Sequence, residues 1–459
     1  MPSAPVPSSR GLRASLRNVE AFKANPLTFY RRLTWGDDGA YRERVPFDMF
    51  GANVLVNDPE AVGRILTSAL DDGRYTKDGL RFFAILGRVL GNGLFTSEGH
   101  HHLAQRRKLQ PAFQPRAIEP MIAGMRAAAD EAARRWATRV GEVLDVQAEM
   151  RWLALDVLAH TLVGADLREH VHAFGAANAI MEDRLIASMG APFLLPRWIP
   201  SPGNRRFARA ATDVHRVVLR ILEGHRARPP GAPEAALLLG RLMDGMGTPD
   251  GMTLAQVFVE VTTLLVGGYQ STAVALTWTW YLLAQHPAAM RRIVAEVRAL
   301  PGGAVTSHAD LQALPYTRMV VLEALRLYPP VWVLHRAARA RDHVAGAPIA
   351  RGTIVAICPY TLHRHPAHWS HPETFHPEHF AAEHVRPGAA YLPFGAGRHK
   401  CIGQHHAVAA VLVALASLVP RFAFDPPAEP IVANTRAFTT PEPTLRMRLR
   451  SPEAESHPA

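Results

Sequence analysis

Phe394-Gly-Ala-Gly-Arg-His-Lys-Cys401-Ile-Gly403 is the stretch on which the reading of this chain turns. It holds one of only two cysteines in 459 residues. Three glycines and an aromatic crowd the sulfur, and Arg398, His399 and Lys400 precede it. Glycine lets backbone come close and takes dihedrals other residues avoid. Backbone N–H groups freed in this way can hydrogen-bond a metal-ligating thiolate and tune it. Neighbouring cations lower a thiol's pKa. The apolar run Ala407–Val419 reads as a buried helix. It places Cys401 on the side of a positive dipole end.

A single thiolate with no second cysteine nearby argues against a structural zinc site. It points to haem with a cysteine axial ligand. The loop resembles the haem-binding signature of the cytochrome P450 family, with Phe394, Gly397, Cys401 and Gly403 at the matching positions. The resemblance implies a mainly α fold: a large helical domain with a small β region. It also implies haem b with Cys401 as the axial ligand to iron. Dioxygen is the implied co-substrate, with NAD(P)H supplying electrons indirectly.

Four more stretches fall in that family's order. In Gly99–Phe113, His102 and Arg106 are four apart and share a helix face. Two donors on one face suit a pair of carboxylates. A histidine triplet can also bind metal, and is more often simply solvated. The resemblance makes this the propionate-binding helix. Leu254–Ala284 reads as one long apolar helix with Gly267-Gly-Tyr-Gln270-Ser271-Thr272 at its middle. Paired glycines there cost roughly 1 kcal/mol each against Ala. Approach of a flat cofactor is one reason for them; a helix-packing notch is the other. The family carries an acid and Thr where this chain has Gln270 and Ser271. Ser271 keeps a hydroxyl, whereas Gln270 cannot deliver a proton as an acid. The resemblance assigns Ser271 and Gln270 to gating the proton supply, with Thr272 adjacent on another face.

Glu323 and Arg326 lie one turn apart among apolar residues, before Pro329-Pro330. The resemblance makes them a buried structural pair, completed by His379 where the family usually has Arg. Val331–Leu334 is expected as a strand, followed by Arg336. By resemblance Arg336 and His399 join His102 and Arg106 in holding propionates. The pocket candidates are Phe82, Phe83, Val266, Gly267, Val331, Trp332, Val333 and Phe438, with Arg436–Thr440 as a hairpin tip. Phe82 and Phe83 sit in a Gly-broken apolar segment, Arg74–Phe95, for which ordinary packing is an equal reading. Ile349–Tyr360 is expected as a strand pair with Cys358 buried. Glu182–Pro202 is expected to break up into a lid or a plain surface loop.

The chain is 48% hydrophobic and 20% charged, so it can bury a large core. Two cysteines exclude a disulfide framework. Its net charge of +11 is not arranged in any nucleic-acid motif. No apolar stretch of spanning length marks a membrane anchor. The expectation is a cytoplasmic monomer with residues 1–20 as a lead-in, 21–450 as one haem domain and 451–459 as a tail. By resemblance it is a monooxygenase acting on a hydrophobic terpenoid, polyketide or fatty-acyl-like molecule. No reductase portion is recognised, so a separate ferredoxin and ferredoxin reductase are expected. A positive face at Arg107, Lys108, Arg398 and Lys400 would receive the ferredoxin. The Gln270-Ser271 change also admits a peroxide-using, coupling or isomerising member. A haem sensor or carrier, or a zinc protein using the histidines between His363 and His379, are the readings from other classes.

Overall fold

The computed structural model describes residues 12–35, 41–49, 52–189, 196, 198–229, 237–248, 251–381, 388–435 and 437–452. Helix α1 (Leu12–Ala24) begins inside the stretch read as a lead-in, and α2 (Pro26–Trp35) follows it. The hairpin β1 (Arg44–Asp48) and β2 (Ala52–Val56) pairs antiparallel as its alternation predicts. After it come α3 (Pro59–Leu66), α4 (Ser68–Asp71), β3 (Tyr75–Thr76) and α5 (Arg81–Leu90). Next are α6 (Gly99–Leu109), α7 (Ile122–Ala137), β4 (Val143–Asp145), α8 (Val146–Leu158) and α9 (Val171–Met189). Glu182–Met189 is therefore the end of a helix rather than a broken lid. Gly190, Pro192 and the rest of that segment up to residue 195 lie outside the described residues, as do Gly51 and Arg436.

The basic helix α10 (Pro202–Arg226) and the short α11 (Leu238–Asp244) precede the central α12 (Leu254–Gln285). Thr253 and Gln256 form a capping box that starts α12, and Pro287 opens α13 (Pro287–Ala299) just beyond its end. The run continues with α14 (His308–Gln312), α15 (Pro315–Leu327), β5 (Leu334–Ala338), β6 (Asp342–Val344), β7 (Ala347–Ile349) and β8 (Ile354–Ile357). It closes with α16 (Pro359–Leu362), α17 (Gln404–Leu418), β9 (Ala423–Phe424), β10 (Val432–Thr435), β11 (Thr439–Glu442) and β12 (Arg446–Arg450).

Helix α12 is almost wholly apolar and buried, so it has no solvent face. It packs against α8, α10, α15 and α17, and one large core joins them. The main sheet has the order β1-β2-β8-β5-β3, with β2 and β8 parallel and the other pairs antiparallel. The segment expected as one strand pair at Ile349–Tyr360 is split between two sheets: β7 pairs with β6, and β8 joins the main sheet. Cys358 follows β8 fully buried, and burial pushes its thiol up to about 11. The expected strand at Val331–Leu334 begins only at Leu334; Trp332 and Val333 before it pack on the aromatic cluster of α1 and α2.

One buried ion pair ties this frame together. Arg326 donates Nε–H to Glu323 Oε2 at 2.8 Å and Nη2–H to Oε1 at 2.7 Å, with both side chains 0% exposed. The rest of the guanidinium donates to the carbonyls of His363, Pro372 and Thr374. His379 approaches Glu323 at 3.2 Å through Nδ1 and donates Nε2–H to Ser370 O at 2.7 Å. It thus takes the third place in the triad with one nitrogen where a guanidinium offers a fork. A buried pair is tolerated only when its remaining valences are met, as they are here.

Two outcomes follow. Arg326→Leu strands the Glu323 carboxylate and lowers stability by about 3–5 kcal/mol, measured by urea unfolding. His363, fully buried, donates Nδ1–H to Arg326 O at 3.1 Å and accepts Leu392 N–H at Nε2 at 2.8 Å, so the ring must be neutral. Burial, the largest influence, lowers it from 6.5 to about 3. The unfolded chain therefore takes up this proton first. The His363 contribution is whole above pH 6.5 and falls by up to about 1.4 kcal/mol per unit as pH drops toward 3. His363→Asn should remove that part of the acid slope in denaturant midpoints.

Candidate functional site

The Cys401 loop is folded by two glycines with left-handed backbone, Gly395 at φ 67° and Gly397 at φ 66°. A Cβ on Gly397 would stand 1.9 Å from Leu66 O, so only glycine lets the loop lie against the end of α3. Cys401 N–H donates to Phe394 O at 2.8 Å and closes the turn. Phe394 is half-buried and packs on the main core. Gly403 caps α17, so the sulfur stands just before that helix's N-terminus.

The sulfur's electrostatics differ from the sequence expectation. Of the three cations preceding it, only Lys400 acts on it, joined by Arg106, which donates to Lys400 O at 2.7 Å. Arg398 turns away, donating to Leu70 O and standing 3.6 Å from Asp71. His399 donates Nε2–H to Glu98 at 2.9 Å. Cys401 is exposed to the open space, but the protein mass around it desolvates the thiolate, and this outweighs the Gly403 N–H, Arg106 and Lys400, so the thiol lies above its ordinary value. Positive charge at the sulfur, as from a bound metal ion, reverses that balance.

The residues expected to hold propionates gather in one buried cluster. His102 is 1% exposed and its ring lies 4.1 Å from that of His399. Arg336 is 5% exposed and donates one N–H to His335 O at 2.8 Å. Three buried nitrogens here, His102 Nδ1, Arg336 Nε and Arg398 Nε, have no hydrogen-bond partner. Unpaired buried donors are costly, and their convergence suits an anion carrying several acceptor oxygens. Burial first, then the charges of His399, Lys77 and Arg106, lowers His102 to about 3. Burial lowers Arg336 to about 10 against the opposing charge of Glu98.

Two members of the cluster carry no family motif and went unread in the sequence. Glu98, at the start of α6, accepts from both His399 and the Lys77 N–H. Burial raises it, but His399 and Lys77 together hold it at about 2. Lys77 is 4% exposed, donates to Phe95 O at 2.9 Å, and is lowered by burial to about 7.

At the middle of α12 the two glycines have different reasons. A Cβ on Gly268 would stand 3.0 Å from Leu158 of α8, so that glycine is a packing notch. A Cβ on Gly267 meets nothing within 4 Å, and Gly267 is exposed in an otherwise buried helix. Ser271, one turn on, donates Oγ–H to Gly267 O at 2.8 Å. Gly267 and Ser271 thus mark the edge of an open space. Gln270 is 6% exposed and lines a polar cleft of about 550 Å³ together with Arg151, Glu182, Asn434 and Thr435. Thr272 is buried on a different face, as expected.

The apolar candidates divide as well. Phe82 and Phe83 stand half-buried on α5, edge to face at 5.2 Å. Val266 is half-buried beside Gly267, Val331 is 38% exposed, and Phe438 is half-buried at the β10–β11 tip. Trp332 is not a pocket residue. It is 2% exposed and packs on Phe22 and Tyr30 of the first two helices, with centroids at 6.1 and 5.7 Å. Val333 packs on the same cluster. The aromatic surface of α1, α2 and β1 supplies a larger apolar contact than a cavity wall could.

Among the described residues no group of three or more His, Cys, Asp or Glu could hold a metal ion. The histidines from His363 to His379 have other work: His363 and His379 bind the frame, and His365 lies 4.3 Å from the Tyr41 ring. No helix of the described residues is long and apolar enough to cross a membrane.

Comparison with known proteins agrees with the geometry. The family profile described as "Cytochrome P450" matches residues 48–449. The chain is 32% identical over 376 residues to cyclooctatin synthase of Streptomyces melanosporofaciens, covering 80% of each. It is 29% identical over 399 residues to pentalenene oxygenase of Streptomyces avermitilis, covering 85% of this chain and 86% of that one. The crystal structure of the cytochrome P450DA heme domain superposes with a TM-score of 0.81 at 25% identity, covering 93% of both chains. A profile match over most of the chain, on a fold that sets Cys401 in this loop, makes the chain a member of the cytochrome P450 family and a monooxygenase.

Proposed function

We propose that this monooxygenase inserts one oxygen atom of dioxygen into a hydrophobic terpenoid, with electrons from NAD(P)H delivered by a separate ferredoxin and its reductase. The carrying observation is the pairing of an accessible Cys401 sulfur with two buried nitrogens that lack hydrogen-bond partners, His102 Nδ1 and Arg336 Nε. Thiolate-ligated haem supplies the oxygen-activating chemistry. Cys401 would ligate its iron, while His102, Arg336, Arg106 and His399 would take its carboxylates; Arg398 Nε offers a further donor. Phe394, Gly397 and Gly403 shape the loop around the sulfur.

The chain's own residues support the rest. Ser271 offers a hydroxyl whose proton is held at Gly267 O and can be turned toward the open space. Gln270 sits between that turn and the polar cleft with Arg151 and Glu182, so it can hydrogen-bond water but not give up a proton as an acid. Phe82, Phe83, Val266, Val331 and Phe438 present apolar surface, which suits a hydrocarbon skeleton. The names of the Streptomyces relatives, one for pentalenene and another, at 32% identity, for cyclooctat-9-en-7-ol, favour a terpenoid over a polyketide or fatty acyl chain. Arg107, Lys108 and Lys400 are exposed and can meet an acidic ferredoxin, whereas Arg398 is turned inward and leaves that face.

The reading is tested by the absorption of the dithionite-reduced, CO-bound protein. Wild type should show the red-shifted Soret band of thiolate ligation, and Cys401→His the unshifted one. No haem band in wild type would overturn the reading. Arg336→Leu removes charge-assisted hydrogen bonds worth about 1.5–3 kcal/mol. Haem transfer to apomyoglobin should accelerate roughly ten- to hundredfold. Gln270→Glu restores an acid beside Ser271 and should raise the fraction of NADH electrons recovered in product. An unchanged fraction would remove Gln270 from the proton path.

A further inference from the structure

Glu260 is a carboxyl with no part in the chemistry above. It lies on α12, two turns before Gly267, and is 0% exposed. Both its oxygens face one donor, the Leu94 N–H, at 3.2 and 3.1 Å. Leu94 belongs to the loop that joins α5, which carries Phe82 and Phe83, to α6. That loop is pressed onto α12. A Cβ on Gly91 would stand 2.9 Å from Val259, and a Cβ on Gly93 would stand 2.5 Å from Thr263 Oγ1 and 3.5 Å from Glu260 Oε2. Thr263 Oγ1 is itself without a partner, so an unused hydroxyl lies beside the buried carboxyl. Two glycines make the approach possible, and one hydrogen bond to a buried acid fastens it.

We propose that Glu260 is a positioning residue: it latches the Gly91–Leu94 loop, and with it the pocket wall on α5, onto α12, and the latch loosens when the carboxyl ionises. Ionising a carboxyl in a dry position is costly. Burial, the dominant influence, raises Glu260 from 4.5 to about 7, with the Leu94 N–H opposing. A neutral carboxyl still accepts the Leu94 N–H through its carbonyl oxygen, so the closed arrangement is compatible with the acid form. Opening lets water reach the group and returns it to its ordinary range. The closed state is therefore fully favoured below pH 4.5. It is weakened progressively as pH rises to about 7 and is no further weakened above that.

One other group at this loop changes charge in the same range: Lys77, lowered by burial to about 7, donates to Phe95 O at 2.9 Å beside Leu94. A neutral amine keeps that bond, and Glu260→Gln leaves Lys77 in place, so the variant separates the two groups. Arg81 and Arg88 belong to α5, Asp213 and Arg216 to α10, Arg241 and Asp244 to α11, and Arg151 and Asp156 to α8, the helices packed against α12 here. None of them contributes to the shift on Glu260. His215 of α10 reaches the same region: its ring lies 5.2 Å from Phe258, and its Nε2 donates to Val89 O at 2.7 Å, at the end of α5. That bond fastens the end of α5 independently of Glu260.

The inference takes α5 as a wall of the proposed pocket, but its test needs no substrate. Exchange of the Leu94 amide is followed in the haem-loaded chain from pH 5 to 8, with the Leu276 amide of α12 as control. In wild type the Leu94 rate should climb about 100-fold per unit from pH 5 to 7, tenfold from hydroxide catalysis and tenfold from opening, and about tenfold per unit above 7. Leu276 should show about tenfold per unit throughout. Glu260→Gln keeps an accepting oxygen and cannot ionise, so its Leu94 rate should follow the control, while His215→Gln keeps the steep region. A wild-type Leu94 profile parallel to Leu276 overturns the proposal without any variant, and so does a steep region that survives in Glu260→Gln.

Discussion

The Glu323–Arg326 pair is the constraint on which the rest of the structure depends. A carboxylate and a guanidinium with no exposed surface are stable only if every other donor on the guanidinium finds an acceptor. Those acceptors are the carbonyls of His363, Pro372 and Thr374, so one charge pair fixes the path of the irregular segment before the Cys401 loop. His363 carries the constraint onward, with one ring nitrogen on α15 and the other on Leu392, two residues before Phe394. The position of the cysteine is thus set by hydrogen bonds to backbone groups, not by side-chain packing alone.

The site was legible where its chemistry needs particular residue types at fixed spacing. Cys401 with its glycines, the His102–Arg106 face and the Glu323–Arg326 turn could each be read directly, because each spacing is imposed by a loop or a helical turn. The bounds of α12 could also be read, since an apolar run of that length has few other uses. Less visible was anything decided by which distant surface wins a side chain. Trp332 reads as a pocket aromatic by its place after Pro330, yet the aromatic faces of α1 and α2 take it. Glu98 and Lys77 belong to the buried cluster around His102 and His399 only because β3 and the start of α6 meet there. Glu260 is one acid in a long apolar helix, and nothing near it in the chain shows that Leu94 will come to rest on it.

At the sulfur, the loop read from the sequence and the charge balance found in the fold part company. Counting basic residues before Cys401 suggests a thiol held low. In the folded chain Arg398 and His399 leave for Leu70 and Glu98, and desolvation dominates what remains. The sequence order of charges is a poor guide in a turn that points successive side chains in different directions. The same turn brings the His399 ring beside that of His102, at 4.1 Å.

The two glycines of α12 give the helix two kinds of position, side by side. Gly268 is held close by Leu158: a Cβ there would press on the Leu158 methyls at 3.0 Å, and they would have to give way. A Cβ on Gly267 meets no protein neighbour, so a larger residue there intrudes on the open space beside the helix and not on the scaffold. Two adjacent residues of the same type thus have opposite tolerances, one belonging to the architecture and one to the shape of the cavity. A side chain added at 267 would narrow the space beside α12, whereas one added at 268 would load the seam between α12 and α8.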